Sequence, residues 1–183
     1  MTHLVRSALI AYLAEVSPSR WIGRTALMKF CYLLQTLRDV PLGYDFTLYS
    51  YGPFDSNVLG DLGGAVALGV VREELELYGL GYGYRIHNQL PLEDITQLGG
   101  HFLAQHQAHI HWVTQQFGTL SAAQLELVST ILYVDREAER YGETLTMDQL
   151  AEQVREVKPR FKKSDVVWEV RSLNDKGLLN SPK

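Results

Sequence analysis

The fold is decided by residues 23–88, GRTALMKFCYLLQTLRDVPLGYDFTLYSYGPFDSNVLGDLGGAVALGVVREELELYGLGYGYRIHN. In order, this stretch predicts an apolar helix, a short aromatic strand, a Tyr-Gly-Pro corner, a second helix and a glycine-rich hairpin. A winged helix has its elements in the same order. We therefore expect the N-terminal half of the chain to be winged-helix-like.

The first helix of this stretch is predicted over residues 24–38. Its apolar residues recur at intervals of three and four, as on one helix face, at Leu27, Phe30, Cys31, Leu34 and Leu37. Met28, Tyr32 and Leu33 widen the apolar surface, so we expect this helix to be buried on most sides. Cys31 is the single cysteine of the chain, and its apolar neighbours favour core packing over a reactive thiol.

An extended strand is predicted next, because residues 44–51 are rich in aromatic and β-branched side chains with a period of two. Phe46 and Leu48 are expected on one face of the strand. Tyr49 and Tyr51 are expected on the other.

A sharp corner is predicted after the strand, because Pro53 disfavours the helical region for Gly52. A second helix is expected near residues 56–68, capped by Asp55 or Ser56. Its inward side chains are predicted to be Val58, Leu59, Leu62, Ala65 and Val66.

A hairpin is predicted from two alternating runs, residues 70–77 and 82–87. Gly79 and Gly81 lie between these runs. We interpret them as turn glycines, because a phosphate-binding loop needs a helix directly after its glycines and here a strand follows.

Several segments of this half resemble a known family. Residues 23–34 carry Lys29 three residues before Tyr32, and the aromatic run ends in Tyr51-Gly52-Pro53-Phe54. Residues 62–71 then end a helix in glycine before the pair Val70-Val71. This signature resembles the Panacea domain of phage-associated and antitoxin proteins. It is similar also to the related YwgA-like uncharacterised bacterial proteins, which are the closer likeness.

The resemblance covers about the first half of the chain, and it implies an intracellular, bacterial or phage-linked regulatory module. Toxin neutralisation and proteolytic adaptor work are known among the relatives, so it implies a toxin, a protease or another regulatory protein as partner. The positions that it marks for a structural lock or for partner binding are Lys29, Tyr32, Tyr49, Tyr51, Gly52 and Pro53. In the lock, the Lys29 ammonium pairs with a carboxylate such as that of Asp55.

The composition is that of an ordinary globular protein, with 183 residues, 46% hydrophobic content, 21% charged content and a net charge of −4. No apolar run is long enough for a membrane span, and the N-terminus lacks a signal-peptide pattern. The single cysteine excludes an internal disulfide. We therefore expect a cytoplasmic protein without a membrane partner, in which any nucleic-acid surface is a local patch.

The fold class expected is mainly α with a small antiparallel β-hairpin, that is, α+β. Residues 1–90 would form the winged-helix-like half, whose first helix ends near Pro18, packed on a helical half, residues 91–183. The helical half begins with a helix or helical pair to about Phe117, followed by a long helix over residues 121–140.

Four histidines mark the predicted helix after Pro91, at His101, His106, His109 and His111. His106 and His109 share a face, but the other two point away, and no nearby Cys or Asp completes a ligand set. We interpret them as a polar, titratable face and expect neither metal nor cofactor. The charges at Asp135, Arg136, Glu137, Glu139 and Arg140 are interpreted as a solvated face and not as a catalytic pair of carboxylates.

A second helix-turn-helix-like unit is predicted near the C-terminus. Residues 146–149 fit a capping box, and Ser164 or Asp165 would cap the next helix, which Gly177 ends. The apolar residues of that helix are Val166, Val167, Trp168, Val170 and Leu173.

A basic patch lies within this unit, at Arg155, Lys158, Arg160, Lys162 and Lys163, interrupted only by the acid Glu156. These side chains would contact phosphates in one interpretation and form a solvated loop in the other.

No ordered nucleophile, metal or phosphate-binding set is recognisable. The sequence therefore favours a non-enzymatic protein-interaction or regulatory module, for which the family resemblance implies a role in phage defence or toxin control. The alternative is a DNA-binding transcriptional regulator that uses the patch at residues 155–163. A homodimer is left open.

Overall fold

The computed structural model describes residues 1–78 and 81–181. It divides into two compact units. Unit 1 comprises Met1–Thr47 and Phe54–Ser121, and unit 2 comprises Leu48–Pro53 and the residues from Ala122 onward. The described residues are mainly helical with a small antiparallel sheet, so the predicted α+β class is confirmed.

Unit 1 contains most of the elements predicted for the first half. These are α1 (His3–Val16), β1 (Ile22–Gly23), α2 (Arg24–Arg38), α3 (Ser56–Ala67), β4 (Val71–Tyr78), β5 (Gly81–Asn88) and α4 (Leu92–Phe117). The short strands β2 (Thr47–Tyr49) and β3 (Gly52–Phe54) pair with each other. The antiparallel pairing of β4 with β5 confirms the predicted hairpin, although its predicted turn residue Gly79 lies outside the described residues.

The core of unit 1 surrounds α1 and α2. Each helix has eight consecutive buried residues, 7–14 in α1 and 27–34 in α2, and eight residues cover more than two helical turns. Both helices are therefore buried on all sides over these two segments. Cys31 is in this core, where burial raises the pKa of its thiol to about 12, so its predicted packing role is confirmed.

A buried carboxylate organises the junction of α1, α3 and the segment after α2. Asp61 is 6% exposed, and its Oδ2 accepts from Arg6 Nη1 at 2.7 Å and from the Tyr44 hydroxyl at 2.9 Å. Its Oδ1 lies 3.2 Å from His3 Nδ1. Burial, with the Asp61 charge as a further cause, raises the pKa of Tyr44, which keeps this phenol protonated as a donor.

One predicted inward residue of α3 is wrong. Val66 is 38% exposed, whereas Val58, Leu62 and Ala65 are buried as predicted. Asp61 lies on the inward face of α3, because Arg6 and Tyr44 donate hydrogen bonds to its carboxylate there. The pattern of apolar residues alone does not predict a buried acid.

The boundary between the halves also differs from the prediction. Helix α4 packs on α1 and α2, so it belongs to unit 1 and the division falls after Ser121 instead of at residue 90. Gly100 interrupts the helix with φ of 51° and ψ of −137°, a conformation that glycine adopts at low cost. The predicted helix or helical pair is thus two segments joined at Gly100.

The polar histidine face predicted on α4 is wrong at His106, which is 8% exposed. Its ring lies 4.7 Å from that of Phe102 and 6.0 Å from that of His109, and its Nδ1 has no hydrogen-bond partner. From α2, Arg38 donates to His109 Nδ1 at 3.1 Å. A proton on His106 would therefore be largely removed from water.

We expect unit 1 to lose stability as the pH falls below 6.5, because burial, with His109 and His101 as lesser causes, lowers the pKa of His106 from 6.5. The unfolded chain then binds a proton that the folded chain does not. Thermal unfolding of His106→Leu, measured from pH 7.5 to pH 5, should show less of this acid-induced loss. The exposed variant His101→Gln removes only the last of these causes and leaves His106 buried, so it should retain most of the loss. Equal losses in the two variants would contradict the assignment.

Unit 2 contains the hairpin tip, residues 48–53, with α5 (Ala122–Arg140), α6 (Met147–Val157) and α7 (Lys163–Asp175). The capping box of Thr146 and Gln149 is confirmed. The predicted caps of the last helix are wrong, because Lys162 occupies the cap position and helix α7 already begins at Lys163.

The apolar residues of α7 differ in burial, and one further prediction in unit 2 is wrong. Trp168 is 67% exposed, while Val166, Val170 and Leu173 on the same helix are buried. Asp135 is fully buried and not solvated. It accepts from the backbone amides of Asn180 and Ser181, each at 2.9 Å, so its charge is stabilised by backbone that is distant in sequence.

Candidate functional site

The hairpin at residues 47–54 differs from the single long strand that the sequence predicts. The chain turns at Ser50 and Tyr51, so the Tyr-Gly-Pro motif enters the returning strand β3. Gly52 has φ of 85°, which explains why glycine occupies this position. Gly52 and Pro53 are buried, whereas Tyr49 and Tyr51 are 66% and 64% exposed. The hairpin thus holds two aromatic rings in solvent.

Lys158 fixes the tip of this hairpin from the end of α6. Its Nζ donates to the carbonyl oxygens of Tyr49 at 2.6 Å and Ser50 at 2.5 Å. The lysine is 5% exposed, and this burial lowers the pKa of its ammonium, while Glu126 acts in the opposite direction. Lys158 is therefore a buried structural residue that holds the hairpin tip in place, and we call it the pin. It is not among the side chains that could contact a phosphate.

Glu126, on α5, is the counter-charge of this pin. It is 2% exposed, its Oε1 lies 3.6 Å from Lys158 Nζ, and its Oε2 pairs with Arg160. Sequence reasoning missed this residue. The signal was present in Leu125-Glu126-Leu127-Val128, where a lone acid interrupts an apolar run, since charges are buried in such runs only when they are paired.

Arg160 extends the site toward solvent. Its guanidinium carbon lies 5.2 Å from the Tyr51 ring centre and 5.3 Å from that of Phe161, within the range of cation–π attraction. The side chain remains 49% exposed. Arg160 thus joins the buried Glu126 to the exposed aromatic ring.

A groove of about 580 Å³ lies between the hairpin tip and the segment after α6. It is lined by Leu48, Tyr49, Ser50, Val157, Lys158, Pro159 and Arg160. We call this surface the tip groove. The groove is wide open to solvent, and its volume is within the range of small-molecule sites.

The structure unites two groups of residues that the sequence places more than a hundred positions apart. Tyr49 and Tyr51, from the family-like motif, lie in unit 2 with Lys158 and Arg160 from the basic patch. Of the remaining basic residues, Arg155 and Lys163 pair with Glu152 at 3.4 and 3.5 Å, and Lys162 is exposed.

Lys29 and Tyr32 lie in unit 1. Lys29 is 2% exposed and Asp55 is 7% exposed. The Tyr32 ring packs edge-on against Phe46 at 5.3 Å. The structural-lock role of Lys29 stays a prediction.

Within the described residues, no group of three or more His, Cys, Asp or Glu side chains is placed to hold a metal ion. In the same residues, no individual helix combines the length and apolar character of a membrane span, although α4 and α5 meet that criterion together as a bent pair. The chain matches no protein-family model and has no significant match among curated protein sequences.

Proposed function

We propose that this chain is a non-enzymatic protein-interaction module that binds its partner at the tip groove. The observation that supports this most strongly is the pair of tyrosines, each about two-thirds exposed, on a hairpin whose carbonyls are fixed by a buried lysine. Exposed aromatic side chains on a fixed backbone are typical of binding hot spots, because little conformational entropy is lost when they are buried.

We further propose a winged-helix arrangement for unit 1. The order helix, strand, two helices and hairpin supports it, as does the sheet order β1-β5-β4. In this arrangement α3 would be the helix that reads DNA. It contains no Lys or Arg, so α3 offers no cation to a phosphate backbone, which favours a protein partner over a duplex.

The likeness to the Panacea and YwgA-like proteins supports a regulatory role, which we propose lies in phage defence or toxin control. The partner would be a toxin, a protease or another regulatory protein, and the compartment would be the cytoplasm. The motif residues Tyr49, Tyr51, Gly52 and Pro53 all contribute to the hairpin tip, which supports partner binding at this part of the motif.

A crosslinking experiment tests the protein-interaction proposal. A photo-reactive phenylalanine analogue at position 51 should yield a discrete protein adduct in the native host, and Tyr49→Ala should abolish the adduct. The matched control is position 141, a tyrosine of unit 2 that is 74% exposed and outside the tip groove. Equal adducts at positions 51 and 141 would refute the site, and an adduct of twice the chain's mass would identify a homodimer.

The second candidate is a DNA-binding regulator, which the exposed Lys162, Lys163 and Arg160 near the start of α7 favour. Such binding should appear as duplex retention in a gel at low salt and weaken steeply as salt rises. Retention that is lost in a Lys162→Glu/Lys163→Glu variant would support this function. Absence of retention at low salt would eliminate it.

A further inference from the structure

We infer that the tip groove recognises a short acidic peptide segment that also carries apolar side chains. This inference rests on the proposed protein-interaction function and specifies the chemistry of the partner. It follows from the local charge, from the exposed half of Arg160, and from the side chains that line the groove.

The charge around the groove is opposite to that of the whole chain. The charged side chains that line the tip groove are Lys158 and Arg160, and the one acid that pairs with them among the described ion pairs is the buried Glu126. Two cations against one acid leave a local charge of +1, whereas the chain carries −4. An acidic segment is therefore attracted to this region while the rest of the surface repels it.

Arg160 supplies the donors for a carboxylate of the partner. A guanidinium has five N–H groups in a planar fork, and Glu126 accepts only on its Oε2 side from Nη2 of this arginine. The Arg160 side chain is about half exposed, and its guanidinium carbon lies 5.2 Å from the Tyr51 ring centre and 5.3 Å from that of Phe161. A carboxylate bound there would be held by charge-assisted hydrogen bonds beside apolar rings.

The apolar lining specifies the rest of the segment. Leu48, Val157 and Pro159 line the groove, Val157 is 44% exposed, and Tyr49 adds a largely exposed ring. A peptide that alternates acidic and apolar side chains can cover these groups and reach Arg160 at the same time. A nucleic-acid backbone is a poorer fit, because Lys158 already donates to two carbonyls and the lining offers little to phosphate.

Fluorescence anisotropy with defined probes tests this inference. The probes are a short labelled peptide that alternates Glu with Leu and Phe, two variants of this peptide with Gln or Lys in place of every Glu, and a labelled DNA duplex. Of these probes, we expect only the Glu peptide to bind, and we expect added salt to weaken its binding. Arg160→Gln should weaken it about tenfold or more, as for loss of a charge-assisted hydrogen bond. Tyr51→Ala should also weaken it, independently of any charge change.

The matched control is Arg171→Gln, which changes the net charge equally at an exposed arginine of α7 outside the tip groove. Its affinity should remain that of the wild type. The inference would be overturned if the Gln variant of the peptide bound as tightly as the Glu peptide, or if Arg171→Gln weakened binding as much as Arg160→Gln. It would also be overturned if the Glu peptide did not bind. Tighter binding of the duplex that depends on Arg160 would assign the groove to nucleic acid instead. A partner adduct at position 51 without Glu-peptide binding would leave the proposed function standing and reject only this partner chemistry.

Discussion

Replacing Lys158 by methionine should lower the free energy of unfolding of unit 2 by about 3 kcal/mol, as expected when one partner of a buried ion pair is removed. Methionine retains the apolar stem but leaves the Tyr49 and Ser50 carbonyls without their donor. It also leaves the buried Glu126 with Arg160 as its remaining ion-pair partner among the described residues. Hydrogen exchange of the α5, α6 and α7 amides in increasing urea measures the change within this unit.

The double variant Lys158→Met/Glu126→Gln provides the control for that prediction. It removes both buried charges, so it should be more stable than the sum of the two single variants predicts, by about 1–3 kcal/mol of coupling. Strictly additive effects would show that Glu126 and Lys158 do not interact. The exposed control Lys163→Met should change stability by less than about 1 kcal/mol.

Replacing Asp61 by asparagine should destabilise unit 1 by a similar amount, about 3 kcal/mol. The substitution preserves shape but leaves the Arg6 guanidinium, whose side chain is only 19% exposed, facing a neutral amide. It also weakens the acceptor of the Tyr44 hydroxyl. Urea unfolding followed by hydrogen exchange of α1 and α3 measures this loss.

The control for Asp61 is Asp94→Asn, an exposed acid in the first turn of α4. It should cost less than about 1 kcal/mol, through its interaction with the helix dipole alone. A cost for Asp61→Asn no greater than that of Asp94→Asn would show that the buried carboxylate does not stabilise the junction of α1 and α3.

Most of the elements of unit 1 could be predicted from sequence, because their signals are local. Helix α2 begins at Arg24 and ends at Arg38 as its apolar period and the following Pro41 indicate. The alternation after Gly69 likewise places the paired strands β4 and β5. The unit boundary could not be predicted, because the packing of α4 on α1 depends on contacts between residues about a hundred positions apart.

The candidate site was predicted in its parts and not as a whole. Tyr49 and Tyr51 were marked by the motif, and Lys158 and Arg160 by their charge. Nothing in the local pattern shows that Lys158 turns inward to the carbonyls of the hairpin, because a lysine in a basic run is usually solvated. The clue was on another helix, in the lone Glu126 within an apolar run, whose burial requires a cation.

We propose that the Lys158–Glu126 pair holds the hairpin in the conformation that presents Tyr49 and Tyr51 to a partner protein. The most direct measurement compares the yield of protein adduct from a photo-reactive group at position 51 in the otherwise unchanged chain and in the Lys158→Met/Glu126→Gln background. We expect the adduct to be lost in that background while α5, α6 and α7 remain folded, because the hairpin carbonyls lose their donor. An unchanged adduct yield in the folded double variant would contradict it.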